Sequence, residues 1–225
     1  MISSRTKLIA VALLLSTAGT ILSLAQSAPK LPPDVNPDSL ARLPYLQRKN
    51  LDEAGQKVFD VLPGASKEGS LGGPLAFAAY EPAVAKALFD LHNAAMAGPV
   101  GTNAHVRELA ILVACRETNY NLEWNAHEPT AVRAGVDAKV IDVVRKKGPL
   151  TGIADPDATV IRFGRQLYTD RKVDSATFAK AVELFGQRGV MDMVAIMNTY
   201  AVSGFYGIAV DEHAPAGKPS LEPIK

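Results

Sequence analysis

The stretch from Asn103 to Thr118 constrains this chain more than any other. Val106 and the unbroken run from Leu109 to Ala114 put apolar side chains on nearly every side of a helix of about four turns. A helix with no water-facing side has to be enclosed by other helices. Asn103 is placed as its N-cap, where a short polar side chain accepts from the first free N–H groups. No segment shows sustained two-residue alternation bounded by turns, so no strand competes. No repeat of solenoid length recurs. The expectation is an all-α fold, a bundle of about eight helices with this one at its centre.

The other elements are read outward from it. Residues 26–43 are rich in proline and polar side chains and read as an extended lead-in. The helical domain covers 44–212, and 213–225 form an irregular tail. A first helix is expected from Tyr45 to Leu62, ended by Pro63-Gly64. The glycine-rich loop from Gly69 to Pro74 belongs near a pocket or an interface. Glu81-Pro82 opens a helix that runs to about Met96. A helix from about Asn119 is disturbed at Pro129 and stopped at Gly135. Asp137 caps a short helix to about Lys146, and Asp155-Pro156 opens another to about Tyr168. Asp174 caps one that ends near Gly186. The apolar stretch from Val190 to Val210, interrupted by Asp192 and Asn198, reads as a core or subunit-interface helix rather than a membrane span.

The N-terminus reads as an address. Arg5 and Lys7 precede the apolar run from Leu8 to Leu15, and Ser23-Leu24-Ala25 suits signal peptidase. Residues 1–25 are therefore expected to be a cleaved signal peptide, giving an exported protein, periplasmic or secreted, with no stable membrane association after cleavage. The competing reading is an uncleaved anchor, since Leu8 to Ala25 is just long enough to span a bilayer but is weakened by Ser16, Thr17, Gly19, Thr20 and Ser23. Cleavage would remove two basic residues and no acidic ones, turning the net charge from +1 to −1. Either value excludes a broad nucleic-acid footprint, which needs a concentrated basic surface. With 48% hydrophobic and 21% charged residues the chain has material for a core, which excludes wholesale disorder. A single cysteine, Cys115, excludes an internal disulfide, a Cys-x-x-Cys redox pair and a cysteine-rich zinc site.

The candidate chemistry lies on and just after the central helix. Tyr120, Glu123 and His127 stand at i, i+3 and i+7, within about 60° of one another on a helix. Trp124 flanks them. A short turn near Asn119 would fold this helix back so that Glu108 faces the stripe. Two carboxylates, an imidazole and a phenol in an apolar setting are acid/base equipment. Plainer readings of the same residues stay open: Glu108 paired with Arg107 or Arg116, Glu123 and His127 as a solvated i,i+4 pair, Tyr120 and Trp124 as packing residues. His105 with Glu108, Glu123 and His127 has the residue types for zinc or iron, but composition alone suggests it, and neither metal nor cofactor is expected.

The segment resembles the carboxymuconolactone decarboxylase and alkylhydroperoxidase D family. Peroxidase members place a glutamate on one helix, then a Cys-x-x-Cys pair, then a histidine four residues after the second cysteine. Glu108 falls on the glutamate position and His127 on the histidine position, while Tyr120 and Glu123 stand where the cysteines would be. The wider pattern, Arg107-Glu108-Leu109 and later Ala131 and Ala134-Gly135, also fits, and the likeness spans roughly Pro82 to Lys147. It implies an alkylhydroperoxidase D-like helical bundle assembled as a trimer or hexamer. Without the two thiols, dithiol peroxidase chemistry is disfavoured, and Cys115 replaces neither of them. The cofactor-free decarboxylase branch is nearer: a lyase-type proton-transfer enzyme for a small carboxylated or lactone-like molecule. His127 is then the expected general acid/base and Glu108 its orienting partner. Glu123 is the third catalytic candidate, and Tyr120 and Trp124 are expected to bind substrate. The alternatives are a non-catalytic binding or assembly protein on the same fold, or a peroxidase-like activity through Cys115 and a partner thiol.

Overall fold

The computed structural model describes residues 31–65, 69–73, 75–215, 217, 218 and 221. The expected signal peptide, the start of the lead-in and the last residues of the tail lie outside the described residues. Among the described residues seven α-helices occur in the order α1 (Glu53–Phe59), α2 (Pro82–Met96), α3 (Ala104–Glu117), α4 (Asn121–Arg133), α5 (Ala138–Lys146), α6 (Asp155–Arg165) and α7 (Ser175–Ala209). Among the described residues there is no strand, only isolated bridges, and the fold is all-α.

Helix α3 is the centre. Asn103 caps it by accepting from the Val106 N–H, and every residue from Glu108 to Arg116 is buried. It packs against α4, α5, α6 and α7. Each fully buried Leu or Ile on it is worth about 1.5–3 kcal/mol relative to an exposed one, so the helix is held by enclosure rather than by local propensity. Helix α6 lies close against it at Gly164, where a Cβ would collide with Val113. At the C-terminus Asn119 takes a left-handed conformation (φ 53°), and the Tyr120 N–H donates back to the Cys115 carbonyl at 2.9 Å. This Schellman-type closure turns the chain within a few residues and lays α4 back along α3.

Several boundaries follow the expected punctuation. Asp137 and Asp174 accept from backbone N–H groups at the starts of α5 and α7, and Gly135 has positive φ just after α4. Helix α4 continues through Pro129 rather than breaking there. The first helix starts later than expected, at Glu53. Leu46 and Arg48 are instead engaged by the glycine loop: the Leu71 N–H donates to the Leu46 carbonyl, and the Arg48 N–H to that of Gly69. The two helices expected on either side of Gly186 are both present: α7 consists of two helical segments joined across a kink at Gly186, whose backbone is non-helical (φ 70°, ψ 165°). Among the described residues no helix is long and apolar enough to cross a membrane.

From Leu31 onward the chain forms one compact unit. The prolines of the lead-in do not keep it off the body. Asn36 and Ala41 form an antiparallel bridge, the Arg42 N–H donates to the Val210 carbonyl, and the His213 N–H donates to the Leu40 carbonyl. Ala41 is fully buried beside Phe77 and Val210. A second long-range tie holds α7 to the loop before α3, where Asp192 Oδ2 accepts from the N–H groups of Val100 at 2.7 Å and Gly101 at 3.1 Å. Replacing this carboxylate leaves two backbone donors without their partner. Asp192→Ala is expected to lower unfolding free energy by about 1–3 kcal/mol; a urea midpoint equal to that of the wild type would show that the tie contributes nothing.

Candidate active site

Glu108 lies in the second turn of α3 with its side chain only 3% exposed. A buried carboxylate must be paired, and this one has two partners. Arg107 Nε–H donates to Oε1 at 3.0 Å, and His127 Nδ1 lies 2.8 Å from Oε2. Arg107 also donates to the Gly101 carbonyl at 2.6 Å, so its guanidinium is fixed at both ends. Burial pushes the Glu108 carboxyl up, but the bonds to His127 and Arg107 outweigh it and hold the group below the usual carboxylate range. Glu108 is therefore ionised and can only accept. His127 Nδ1 must carry the hydrogen, and Nε2 is left as the reactive nitrogen.

That nitrogen faces Glu123, one turn back on α4, whose Oε2 is 3.5 Å away. Glu123 is buried, and its environment differs from that of Glu108. Desolvation pushes its carboxyl up; the His127 charge opposes this, and the Glu212 carboxylate adds to it. One carboxyl is thus shifted toward its charged form and the other toward its neutral acid, with a single imidazole between them. Environments that drive two carboxyls apart in this way separate an orienting base from a proton donor. The ring of Tyr200, on α7, meets His127 edge-on at 4.8 Å between centroids and 83° between planes, which restricts rotation of the imidazole.

Glu123 and His127 line a cavity of about 220 Å³. Its apolar wall is built by Pro63, Leu75, Leu88, Phe89 and Val202. Its other polar members are His92 from α2 and Thr199, Tyr200 and Ser203 from α7. The hydroxyls of Thr199 and Ser203 donate within α7, to the carbonyls of Ala195 at 2.8 Å and Thr199 at 3.4 Å. Leu75 reaches the cavity just after the glycine loop, which places that loop beside the pocket.

The structure brings together three of the five expected site residues, Glu108, Glu123 and His127. Tyr120 and Trp124 are absent from the cavity wall among the described residues. Tyr120 is the N-cap of α4, with extended backbone (φ −100°, ψ 106°), so the helical spacing that aligned it with Glu123 does not reach it. Its hydroxyl donates to Glu212, and its ring fills the space left by Gly204 and Gly207 on α7. Trp124 lies inside the core, where its Nε1–H donates to Glu128 at 2.9 Å and Arg145 stacks over its ring at 5.0 Å. His105 pairs with Asp157 at 2.8 Å. Among the described residues no three His, Cys, Asp or Glu side chains converge as a metal site. His92 lies on the cavity wall. With Tyr200 and Glu212 it is a site contributor that spacing around α3 and α4 could not reveal. Glu212 stands past the last helix, and His92 is marked only by its place on α2 beside Leu88 and Phe89.

No family model, curated protein or solved structure matches the chain.

The opposed environments of the two carboxyls give a test of sign. The folded-state pKa of Glu123 is raised, so its contribution to stability is full below the ordinary carboxylate range and is lost as pH rises through its folded value. Glu123→Gln imitates the neutral acid and removes that loss. The variant should gain on the wild type as pH is raised from about 4 to about 8, read by urea unfolding. For Glu108 the folded value is lowered, so its contribution is present above the ordinary range and lost on acidification through the lowered value. Glu108→Gln should cost about 2–3 kcal/mol at neutral pH and less in acid. A Glu123→Gln curve parallel to that of the wild type would contradict the assignment of its environment.

Proposed function

We infer that this chain is a cofactor-free acid/base enzyme, a carboxymuconolactone decarboxylase-like lyase acting on a small carboxylated or lactone-like molecule. The observation that carries this reading is the position of His127. Its Nδ1 is held at 2.8 Å by an ionised, buried Glu108, while Nε2 lies at a cavity beside Glu123. An imidazole fixed in one tautomer and oriented by a carboxylate is ready to take a proton from a bound molecule and return it. Glu123, favoured as a neutral acid, is the second proton site. Such groups contribute about 10²–10⁴-fold in rate.

The resemblance of the Glu108 to His127 stretch to the carboxymuconolactone decarboxylase and alkylhydroperoxidase D family agrees with this chemistry, and the all-α bundle is compatible with it. A thiol peroxidase reading fares worse. Cys115 is completely buried, and burial pushes its thiol well up, with Glu123 adding to the shift, so the thiolate that would attack peroxide is disfavoured. The proposed setting is an exported homo-oligomer, a trimer or hexamer. The exposed apolar side chains of Met191, Phe205 and Ile208 on α7 support self-association.

The test is turnover. Purified protein is incubated with pooled small lactones, hydroxy acids and unsaturated carboxylates, and consumption is followed by mass spectrometry. Consumption should fall by about a hundredfold or more in His127→Ala and Glu108→Ala. Full turnover in both variants would remove these residues from the mechanism. Absence of consumption by the wild type would favour a non-catalytic binding protein built on the same fold.

A further inference from the structure

The cavity is more selective than the Glu108–His127 pair alone requires, because of what its wall lacks. Among the described residues lining it there is no lysine and no arginine. Arg107, beside Glu108, has its guanidinium committed to that carboxylate and to the Gly101 carbonyl. A ligand carboxylate would leave water for an apolar wall that carries Glu123, and no described residue of that wall offers it a guanidinium or ammonium. Burying a charge without a fixed partner is strongly unfavourable. The volume, about 220 Å³, is below the roughly 300–1,000 Å³ of sites for drug-sized ligands, which limits the occupant to a small molecule.

The same wall carries a second imidazole. His92 and His127 both contact the Tyr200 ring, with centroids at 6.0 Å and 4.8 Å. His92 has no hydrogen-bond partner among the described residues, in contrast to His127, His105 and His213, each of which lies within reach of a carboxylate. Burial, and then the charge of His127, lowers the pKa of His92, which favours the neutral ring with one N–H to donate. The hydroxyls of Thr199 and Ser203 are turned to their own helix. Among the described residues His92 is thus an uncommitted N–H donor on the wall, alongside the Tyr200 hydroxyl.

We propose that the site takes a small, uncharged, largely apolar carbonyl compound, an enolisable ketone, ester or lactone rather than a carboxylate, with His127 acting on its α-carbon and His92 donating to its carbonyl oxygen. The proton balance closes within the site. The α C–H bond breaks, its proton passes to His127 Nε2, and the electron pair moves into the carbonyl. The oxygen of the resulting enol or enolate is held by His92 N–H, and return of a proton to carbon completes the cycle. No oxidant or reductant takes part. A donor aimed at developing oxyanion charge in a water-poor pocket is worth about 10²–10³-fold.

This proposal rests on the acid/base reading of His127 and narrows its substrate to the uncharged, lactone-like side of that class, and the test separates the two. Methyl levulinate and levulinate carry the same enolisable ketone and differ by one negative charge; cyclohexanone is a second neutral probe. Each is incubated in D₂O with the full chain, and deuterium uptake at the α-carbons is followed by NMR. Expected are enzyme-dependent exchange of methyl levulinate and cyclohexanone, at least about tenfold slower exchange of levulinate, and loss of exchange in His127→Gln. His92→Phe keeps an aromatic ring beside Tyr200 but removes the donor. It should lose about a hundredfold, while His92→Gln, which retains an N–H, recovers part of that loss. Near-ultraviolet circular dichroism checks that both variants keep the packing around Tyr200. Equal exchange of levulinate and its ester overturns the substrate class and leaves the acid/base reading standing. Unchanged exchange in His92→Phe overturns the role of His92. Absence of exchange on all three probes overturns the proton-transfer reading and this proposal with it.

Discussion

A negative charge inside the most enclosed helix of the molecule is the constraint on which the rest depends. Helix α3 is buried from Glu108 to Arg116, and such a helix would ordinarily be apolar throughout. Glu108 is admitted only because Arg107 and His127 meet its two oxygens. That requirement fixes the approach of α4 to α3 and sets which nitrogen of His127 carries hydrogen. It also fixes the loop before α3, since Arg107 bridges from Glu108 to the Gly101 carbonyl. Asp192 on α7 holds the adjoining N–H groups of the same loop. The orientation of the reactive imidazole is therefore a by-product of satisfying a buried charge.

The contrast between Glu108 and Glu123 shows how little separates a base-orienting group from an acid. Both are buried glutamates beside the same histidine. Glu108 has an arginine as well as the imidazole, and Glu123 has a second carboxylate, Glu212, nearby. Burial pushes both carboxyls up; at Glu108 the bonds to His127 and Arg107 overcome it, whereas at Glu123 the His127 charge does not, and Glu212 adds to the burial. Glu212 is itself pushed up by burial, against the bond from Tyr120. The residues just after α7 thus act on the cavity without entering it.

How much of this could be read from residues alone depended on whether the determining interaction was local. The enclosure of α3, its Asn103 cap, the Asp137 and Asp174 caps and the Gly135 stop each follow from a few adjacent positions. Glu108, Glu123 and His127 were legible because two of them share a helix and the third lies on the helix before a short turn. Tyr120 misled because helical spacing was extended one residue past the start of α4, onto a cap with extended backbone. Trp124 flanks the stripe in sequence, but its size suits the core, where it lies. His92 and Tyr200 come from α2 and α7, and no periodicity within the α3–α4 segment points to them. The starting point of α1 depends on the pairing of Leu46 and Arg48 with the glycine loop, a contact between segments about twenty residues apart.

The seam between the lead-in and the end of α7 bears on the order in which the molecule can be completed. Leu40 and Arg42 exchange backbone hydrogen bonds with Val210 and His213, residues separated by nearly the whole described chain. Synthesis delivers the amino-terminal half of this seam first. Arg42 and Leu40 must stay without these partners until the final turn of α7 has emerged. Ala41, fully buried between them, stays uncovered for the same interval. Closing so long a loop is slow and rewarded only at the end. Most of the packing around α3 can assemble beforehand, Leu221 and the Tyr120–Glu212 bond excepted, so stitching the two extremities together belongs to the last steps that seal the protein, and a nascent chain stalled short of Val210 would carry a largely assembled centre with an open edge.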